Sequence, residues 1–128
     1  MLTDGFWKAL TQNSAQTGEN ADDRRLRGRT YVVPFATVWD EIISMIETHR
    51  RWNLMRADEG SGQIRAEAKT LVFRFVDDVR FRVKLDQNAL TRVDMWSASR
   101  VGKGDFGANV RRIARFCRDL DRRLGIEK

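Results

Sequence analysis

The sequence has little of the residue types that most often carry chemistry in small proteins: one cysteine, one histidine and one proline among 128 residues. The single cysteine, Cys117, excludes a disulfide within the chain and suits a reducing compartment, so we expect a cytoplasmic protein. A core position is favoured for Cys117 over a nucleophilic role, because the only histidine, His49, is expected at a helix end or on the surface.

Long apolar runs are also missing. No window approaches the roughly 18 apolar residues that a membrane span needs. Residues 1–10 carry Asp4 early and lack the apolar core of a secretory signal. We therefore expect neither a membrane span nor a signal peptide.

Acidic residues are outnumbered by basic ones, 18 to 24, and 19 of the basic residues are arginine. The formal net charge of +6 brings anionic partners into consideration, although net charge speaks to non-specific attraction and not to a defined site. An anionic ligand and a protein partner are both candidates, and nucleic acid is a less favoured one. The sequence assigns no cofactor, no metal and no oligomeric state.

The polar segment 11–25 lacks any hydrophobic periodicity and is typical of a linker or arm. Before it, Leu2, Phe6 and Leu10 recur at four-residue spacing, which predicts a short helix. We therefore divide the chain into an N-terminal arm at 1–25 and a single domain at 26–128, a length that suits one hydrophobic core.

Hydrophobic spacing within the domain predicts two helices with strands around them. Apolar residues recur at three- and four-residue steps after Pro34 and again near the end of the chain. The positions are Phe35, Val38, Trp39, Ile42 and Ile46 in the first helix, and Val110, Ile113, Cys117, Leu120 and Leu124 in the second.

One strand is expected at 31–33, and from Trp52 onward a period of two predicts four more, at 52–57, 64–69, 79–85 and 92–96. Short turns between these four imply antiparallel pairing. The expected fold class is therefore α+β, an antiparallel sheet of about four to five strands with two helices on one face, in the order strand, helix, four strands, helix.

Two elements of the sequence resemble the signature of a known family: FRFVDDV at 73–79 and SASRVGKGDFGANVRR at 97–112. Together they resemble the bacterial family catalogued as domain of unknown function 1499, over roughly residues 29–124. The matching positions are Phe75, Asp77, Asp78, Ser97, Ser99, Arg100, Val101, Gly102, Asp105, Gly107, Asn109, Arg111 and Arg112. The resemblance implies a family and no activity.

A more distant likeness concerns the entry into the first helix. The valine-proline-phenylalanine run at 33–35 before a tryptophan-bearing helix is similar to helix-grip proteins, which bind ligands or partners between a curved sheet and a long C-terminal helix. This likeness is architectural, and a shared fold does not carry a function.

The run Gly102, Gly104, Gly107 has the G-x-G-x-x-G spacing of a dinucleotide-binding turn. Only 21 residues follow Gly107, so the chain has no room for the second parallel strand that would carry the ribose-binding acid. We expect Asp105 to cap the helix that follows, which places a carboxylate where a phosphate would bind.

Several polar residues converge at the turn between the last strand and this helix. In an extended strand Asp77 and Asp78 point to opposite faces, with Asp77 on the core-facing side, and a buried carboxylate requires partners. We expect Asp77, Arg100 and Asn109 to join the sheet to the helix, a structural role favoured over a ligand or catalytic site. The residues of this polar corner are Asp77, Asp78, Ser97, Ser99, Arg100, Asp105 and Asn109.

Two further sets of basic residues lie on predicted surfaces. Arginines 111, 115, 118 and 122 share a stripe of the closing helix with Asp119 nearby, which predicts a solvated, salt-bridged face. On the sheet face opposite the helices, basic residues and one tryptophan predict an exposed cationic surface for an anion, RNA or another subunit. This cationic sheet face comprises Arg65, Lys69, Arg80, Arg82, Lys84, Arg92 and Trp96.

The sequence thus favours a non-enzymatic binding or interaction module that uses the polar corner or the cationic sheet face. An enzyme with a carboxylate-based pocket at the same corner is one alternative, and an RNA- or DNA-binding protein that uses the arginine-rich sheet face is another. No residue is assigned a catalytic role, because no histidine or cysteine near the corner completes an acid-base pair.

Overall fold

The change from helical to two-residue periodicity along the chain is reproduced in the fold. The structure, a computed structural model, describes residues 14–18, 28–71, 74–100 and 106–125. Its strands are β1 (Ser14–Gln16), β2 (Arg29–Tyr31), β3 (Trp52–Asp58), β4 (Gln63–Lys69), β5 (Val76–Leu85) and β6 (Thr91–Ser99). Its helices are α1 (Phe35–Thr48) and α2 (Phe106–Arg123). The α+β class and the two helices are confirmed.

All the strand pairs are antiparallel. The sheet runs in the order β1-β6-β5-β4-β3, and β2 pairs with β6 on the same edge as β1. Residues Thr91, Arg92 and Val93 of β6 face β2, whereas Trp96, Ser97 and Ala98 face β1. The two short strands thus follow one another along the outer edge of β6.

The sheet has six strands, so the expected number of four to five was too low. The additional strand, β1, lies in the segment that we predicted to be a linker. Its backbone pairs with β6, Ala15 is fully buried, and the Thr17 hydroxyl donates a 2.8 Å hydrogen bond to Asp94. A three-residue strand with one inward side chain carries too few positions to display a period of two, which is why its sequence gave no signal.

Alternation of side chains divides the sheet into a core face and an outer face. The core face carries Val79, Phe81, Val83, Val93 and Met95, all nearly inaccessible to solvent. Both helices pack on this face, with α1 against β3 and β5 and α2 against β6 and β1. Neither described helix is long and apolar enough to cross a membrane.

The buried carboxylate of Asp121 links α2 to β2 through hydrogen bonds. Asp121 accepts a 2.6 Å hydrogen bond from the Tyr31 hydroxyl and bonds of 3.0 and 3.2 Å from the Arg29 side chain. Cys117 lies one turn earlier on α2, and burial raises the pKa of its thiol to about 12. A thiol with so high a pKa is a poor nucleophile, in agreement with its predicted core position.

We expect Gly62→Ala to destabilise the fold. Gly62 has φ of +73°, and a Cβ there would overlap the carbonyl oxygen of Val83 in β5. The substitution should lower the free energy of unfolding, measured by urea denaturation, by about 2 kcal/mol or more. Gly60→Ala is the matched control, since its nearest atom would be 3.5 Å away, and it should change stability by less than about 0.5 kcal/mol. Equal losses would contradict this explanation.

Candidate functional site

The adjacent carboxylates of β5 lie on opposite faces of the sheet. Asp77 is on the core face, opposite Ser99 of β6, and only 3% of it is exposed. Asp78 is on the outer face, opposite Ala98. The two carboxylates therefore have different partners and do not act on one substrate.

Five side chains around Asp77 form a hydrogen-bonded group that we call the buried polar cluster: Asp77, Ser97, Ser99, Asn109 and Arg112. Arg112 of α2 makes a 2.8 Å ion pair with Asp77 and donates to the Ser97 hydroxyl at 3.0 Å and to the Asn109 carbonyl at 2.9 Å. Ser97 donates to the same carbonyl at 2.7 Å, and the Asn109 amide donates to Ser99 at 3.1 Å. The cluster joins β5 and β6 to the first turns of α2.

Burial sets the protonation equilibrium of Asp77. Its pKa is raised mainly because the carboxylate is removed from water, and the positive charge of Arg112 and its hydrogen bond offset part of that effect. The negative charge of Asp78 raises the pKa further, whereas a hydrogen bond from Ser99 lowers it. Arg112 is thus the main group that stabilises the charged form of this buried carboxylate.

Arg100 lies on the outer face, so the expectation that it binds Asp77 and Asn109 was wrong. Its guanidinium donates to the two carboxylate oxygens of Asp78 at 3.0 and 2.7 Å and also contacts Glu67. The reason is strand parity, since Arg100 follows core-facing Ser99 by one residue and shares the face of Asp78. Asp105 of the predicted corner lies outside the described residues.

The cationic sheet face is less open than the sequence suggests. Trp96 is only 8% exposed, and the Arg80 guanidinium lies 4.7 Å from the centre of its ring. Arg92 forms a 2.9 Å ion pair with Asp94 on the same face. Arg82 is half-buried, whereas Arg65, Lys69 and Lys84 are exposed. The expectation of an exposed tryptophan on this face was therefore wrong, because a cation covers the indole.

A groove of about 820 Å³ opens between the end of α1, the length of α2 and the adjoining ends of β3 and β4, where Lys69 of the cationic sheet face also borders it. Seven basic side chains line it, and Asp119 is the one acidic side chain among the described residues of its lining. The basic residues are Arg51, Lys69, Arg111, Arg112, Arg115, Arg122 and Arg123.

Several of these cations already have acidic partners. Arg112 binds Asp77, Arg122 binds Asp119 at 3.2 Å, and Arg123 binds Glu41 of α1 at 2.8 Å. In contrast, Arg51, Lys69 and Arg115 form no ion pair with any carboxylate in the described part of the chain. These three residues give the groove a positive charge that the described residues do not neutralise.

His49 stands at the groove where α1 ends. Its Nδ1 accepts a 3.2 Å hydrogen bond from the backbone N–H of Arg51, so the neutral imidazole carries its proton on Nε2. Partial burial lowers the pKa of His49, and the charges of Arg51, Arg112 and Arg115 lower it further, against a small opposing effect of Asp119. The lowered pKa thus reflects burial first, and then the positive charges of the neighbouring arginines at this point of the groove.

The groove is not predicted by the sequence, although some of its residues are. The helical spacing predicts a solvated face for Arg111, Arg115 and Arg122, and the predicted pairing of Asp119 with a neighbouring arginine is present. One feature of the sequence could have indicated the groove. The spacing of positions 108, 111, 115, 119 and 122 places these residues on one side of α2. Periodicity alone does not show that this side borders α1.

No group of three or more histidine, cysteine, aspartate or glutamate side chains in the described ranges could hold a metal ion.

The fold and the groove define an α+β domain with a two-helix layer and a basic groove beside it. The chain belongs to the family described as Protein of unknown function (DUF1499), whose model matches residues 9–120. That match begins before β1, in keeping with the membership of β1 in the sheet. No curated protein and no solved structure matches the chain.

We expect Arg112→Met to destabilise the protein by about 3–5 kcal/mol at pH 7, because it leaves the Asp77 carboxylate buried without a counter-ion. The raised pKa of Asp77 rises further in this variant. Since protonation then favours the folded state, the loss should shrink as the pH falls through that raised pKa. Urea denaturation at pH 7 and at pH 5 measures both effects.

Two further variants make this prediction specific. Asp77→Leu combined with Arg112→Met removes both charges and should recover much of the lost stability at pH 7. Arg100→Met removes an exposed ion pair and should cost much less than Arg112→Met. A pH-independent loss in Arg112→Met, with no recovery in the double variant, would contradict the role given to the ion pair.

Proposed function

We propose that the protein is a non-enzymatic binding module that takes an anionic ligand in the groove between α1 and α2. The observation that carries this proposal is the presence of Arg51, Lys69 and Arg115 in one concave site without acidic partners among the described residues. The Nε2–H of His49 supplies a fourth donor beside them. An anion there would gain charge-assisted hydrogen bonds from cations that form no ion pair with a described carboxylate.

The polar corner supports a structural role better than a catalytic one. The carboxylate of Asp77 is buried, and its described partners are Arg112 and Ser99. A general acid or base has to reach the atom whose proton it moves. The enzyme alternative therefore receives less support than binding in the groove.

The outer face supports nucleic-acid binding less than the groove supports an anion. Single-strand binding combines basic groups with aromatic rings on which bases stack. Here the Trp96 indole is covered by Arg80, and Arg92 is paired with Asp94. Arg65 and Lys84 remain exposed on this face, so salt-sensitive association there is the second outcome to be tested.

We also propose that the arrangement is helix-grip-like and that the protein acts in the cytoplasm. Support for the first comes from α2, which packs on the core face against β6 and β1 with the groove beside it. Support for the second is the single cysteine, which lies buried on α2.

The sole histidine offers a direct test by NMR. Titration with sodium methanesulfonate, against sodium chloride at the same ionic strength, should shift the His49 imidazole signals saturably and raise the pKa of His49. Binding should strengthen as the pH falls through that raised pKa, because the imidazolium then adds a positive charge to the site. Arg51, Arg112, Arg115 and Asp119 are the other charged groups that face it.

The combined variant Arg51→Ala, Arg115→Ala should weaken methanesulfonate binding by about tenfold or more, since each removed cation forfeits a charge-assisted hydrogen bond. Arg118→Ala is the matched control, because Arg118 is an exposed arginine of α2 outside the groove lining, and it should bind as the unmodified protein does. Unchanged affinity in the double variant would contradict the proposal. So would a loss of equal size in Arg118→Ala.

A further inference from the structure

The groove is much larger than an inorganic anion. Its volume of about 820 Å³ lies in the range of pockets that enclose organic ligands, roughly 300–1,000 Å³. A sulfate- or phosphate-sized group bound to Arg51 and Arg115 would leave most of this space to water. The ligand that fits the groove therefore has a body in addition to its anionic group.

Apolar side chains line the same groove as the cations. Trp52 of β3 and Phe116 of α2 stack at 5.4 Å between ring centres with an interplanar angle of 15°, and Phe116 in turn contacts Phe81 of the core at 4.8 Å. The apolar part of the lining is thus continuous with the hydrophobic core. Leu71, two residues after the end of β4, also lines the groove and is 71% exposed.

An exposed leucine on its own is ordinary for a protein surface. Leu71 differs in its place, because it borders a concave site whose lining also includes Trp52 and Phe116. Phe116 is only 7% exposed, so a ligand body in the groove would mainly cover apolar surface of Leu71 and Trp52, and the free energy of that burial adds to the affinity. A fully polar anion of the same volume would bind without this favourable free energy of apolar burial.

We infer that the groove selects amphipathic anions, with the anionic group at Arg51, Arg115 and His49 and an apolar chain or ring against Trp52, Phe116 and Leu71. This inference rests on the proposed function, and it adds the chemical class of the ligand. Carboxylates, phosphates and sulfonates attached to an alkyl or aryl body share the chemistry in question. The site differs from the cationic sheet face because one cleft holds both an apolar lining and cations that no described carboxylate neutralises.

A homologous series of ligands tests the inference with the anionic group held constant. Methanesulfonate, 1-butanesulfonate and 1-octanesulfonate should bind with increasing affinity, by up to about fourfold for each methylene that becomes buried. We expect octanesulfonate to bind at least about tenfold more tightly than butanesulfonate, as measured by calorimetry and by the His49 signals. Binding of 2-naphthalenesulfonate distinguishes a preference for aromatic rings from a preference for alkyl chains. Binding of 1-octanol measures the contribution of the alkyl chain without the anionic group.

Variants at two exposed leucines locate the apolar contact. Leu71→Ser should reduce the gain from butanesulfonate to octanesulfonate severalfold, and it should weaken octanesulfonate binding more than methanesulfonate binding. Leu85→Ser is the matched control, because Leu85 is 56% exposed at the far end of β5 and does not line the groove. Both substitutions remove an exposed side chain, so neither is expected to prevent folding.

The outcomes separate the inference from the proposal on which it rests. If all the sulfonates, including naphthalenesulfonate, bind at Arg51 and Arg115 with equal affinity, the anion site stands and the amphipathic inference is overturned. If no sulfonate shifts the His49 signals, both fail. If octanol binds as tightly as octanesulfonate, the site is apolar and the role of the cations is overturned. A rising series that depends on both Leu71 and Arg115 supports the inference.

Discussion

The ion pair between Asp77 and Arg112 is the contact on which the arrangement of sheet, helix and groove depends. A carboxylate on the core face of a sheet is unfavourable by itself, and Arg112 compensates for it from α2 at 2.8 Å. Asn109 and the two serines of β6 satisfy the remaining polar atoms around the pair. Because Arg112 also lines the groove, the contact that orients α2 on the sheet also fixes one wall of the groove.

The same orientation explains how the charges of the protein are distributed. With Val110, Ile113, Cys117 and Leu120 turned to the core, the opposite and lateral sides of α2 carry arginines, and one lateral side borders the end of α1. There Arg123 reaches Glu41 across the two helices, whereas Arg115 meets no described carboxylate. On the outer face, by contrast, neighbouring arginines form ion pairs with Asp78, Glu67 and Asp94. Three cations of the groove thus have no acidic partner among the described residues, whereas Arg92 and Arg100 of the outer face do.

Much of this fold could be predicted from the sequence, because α1, α2 and the strands from β3 to β6 each repeat their pattern over several residues. The strand at Ser14–Gln16 could not, since one buried alanine shows no period. For the candidate site, alternation correctly separated Asp77 from Asp78, and the same rule, applied to Arg100, would have excluded it as a partner of Asp77. The pairing of Asp77 with Arg112 and the nearness of Arg115 to His49 and Arg51 depend on how helices pack, which local periodicity does not specify.

A crystal structure of the protein with 1-octanesulfonate would test most directly whether the groove is the binding site. The geometry predicts a sulfonate within hydrogen-bonding distance of the Arg115 and Arg51 guanidinium groups and of His49 Nε2, about 2.7–3.2 Å, with the alkyl chain against Phe116 and Leu71. A sulfonate bound instead among Arg65, Arg80 and Lys84 on the outer face, with the groove filled only by water, would contradict it.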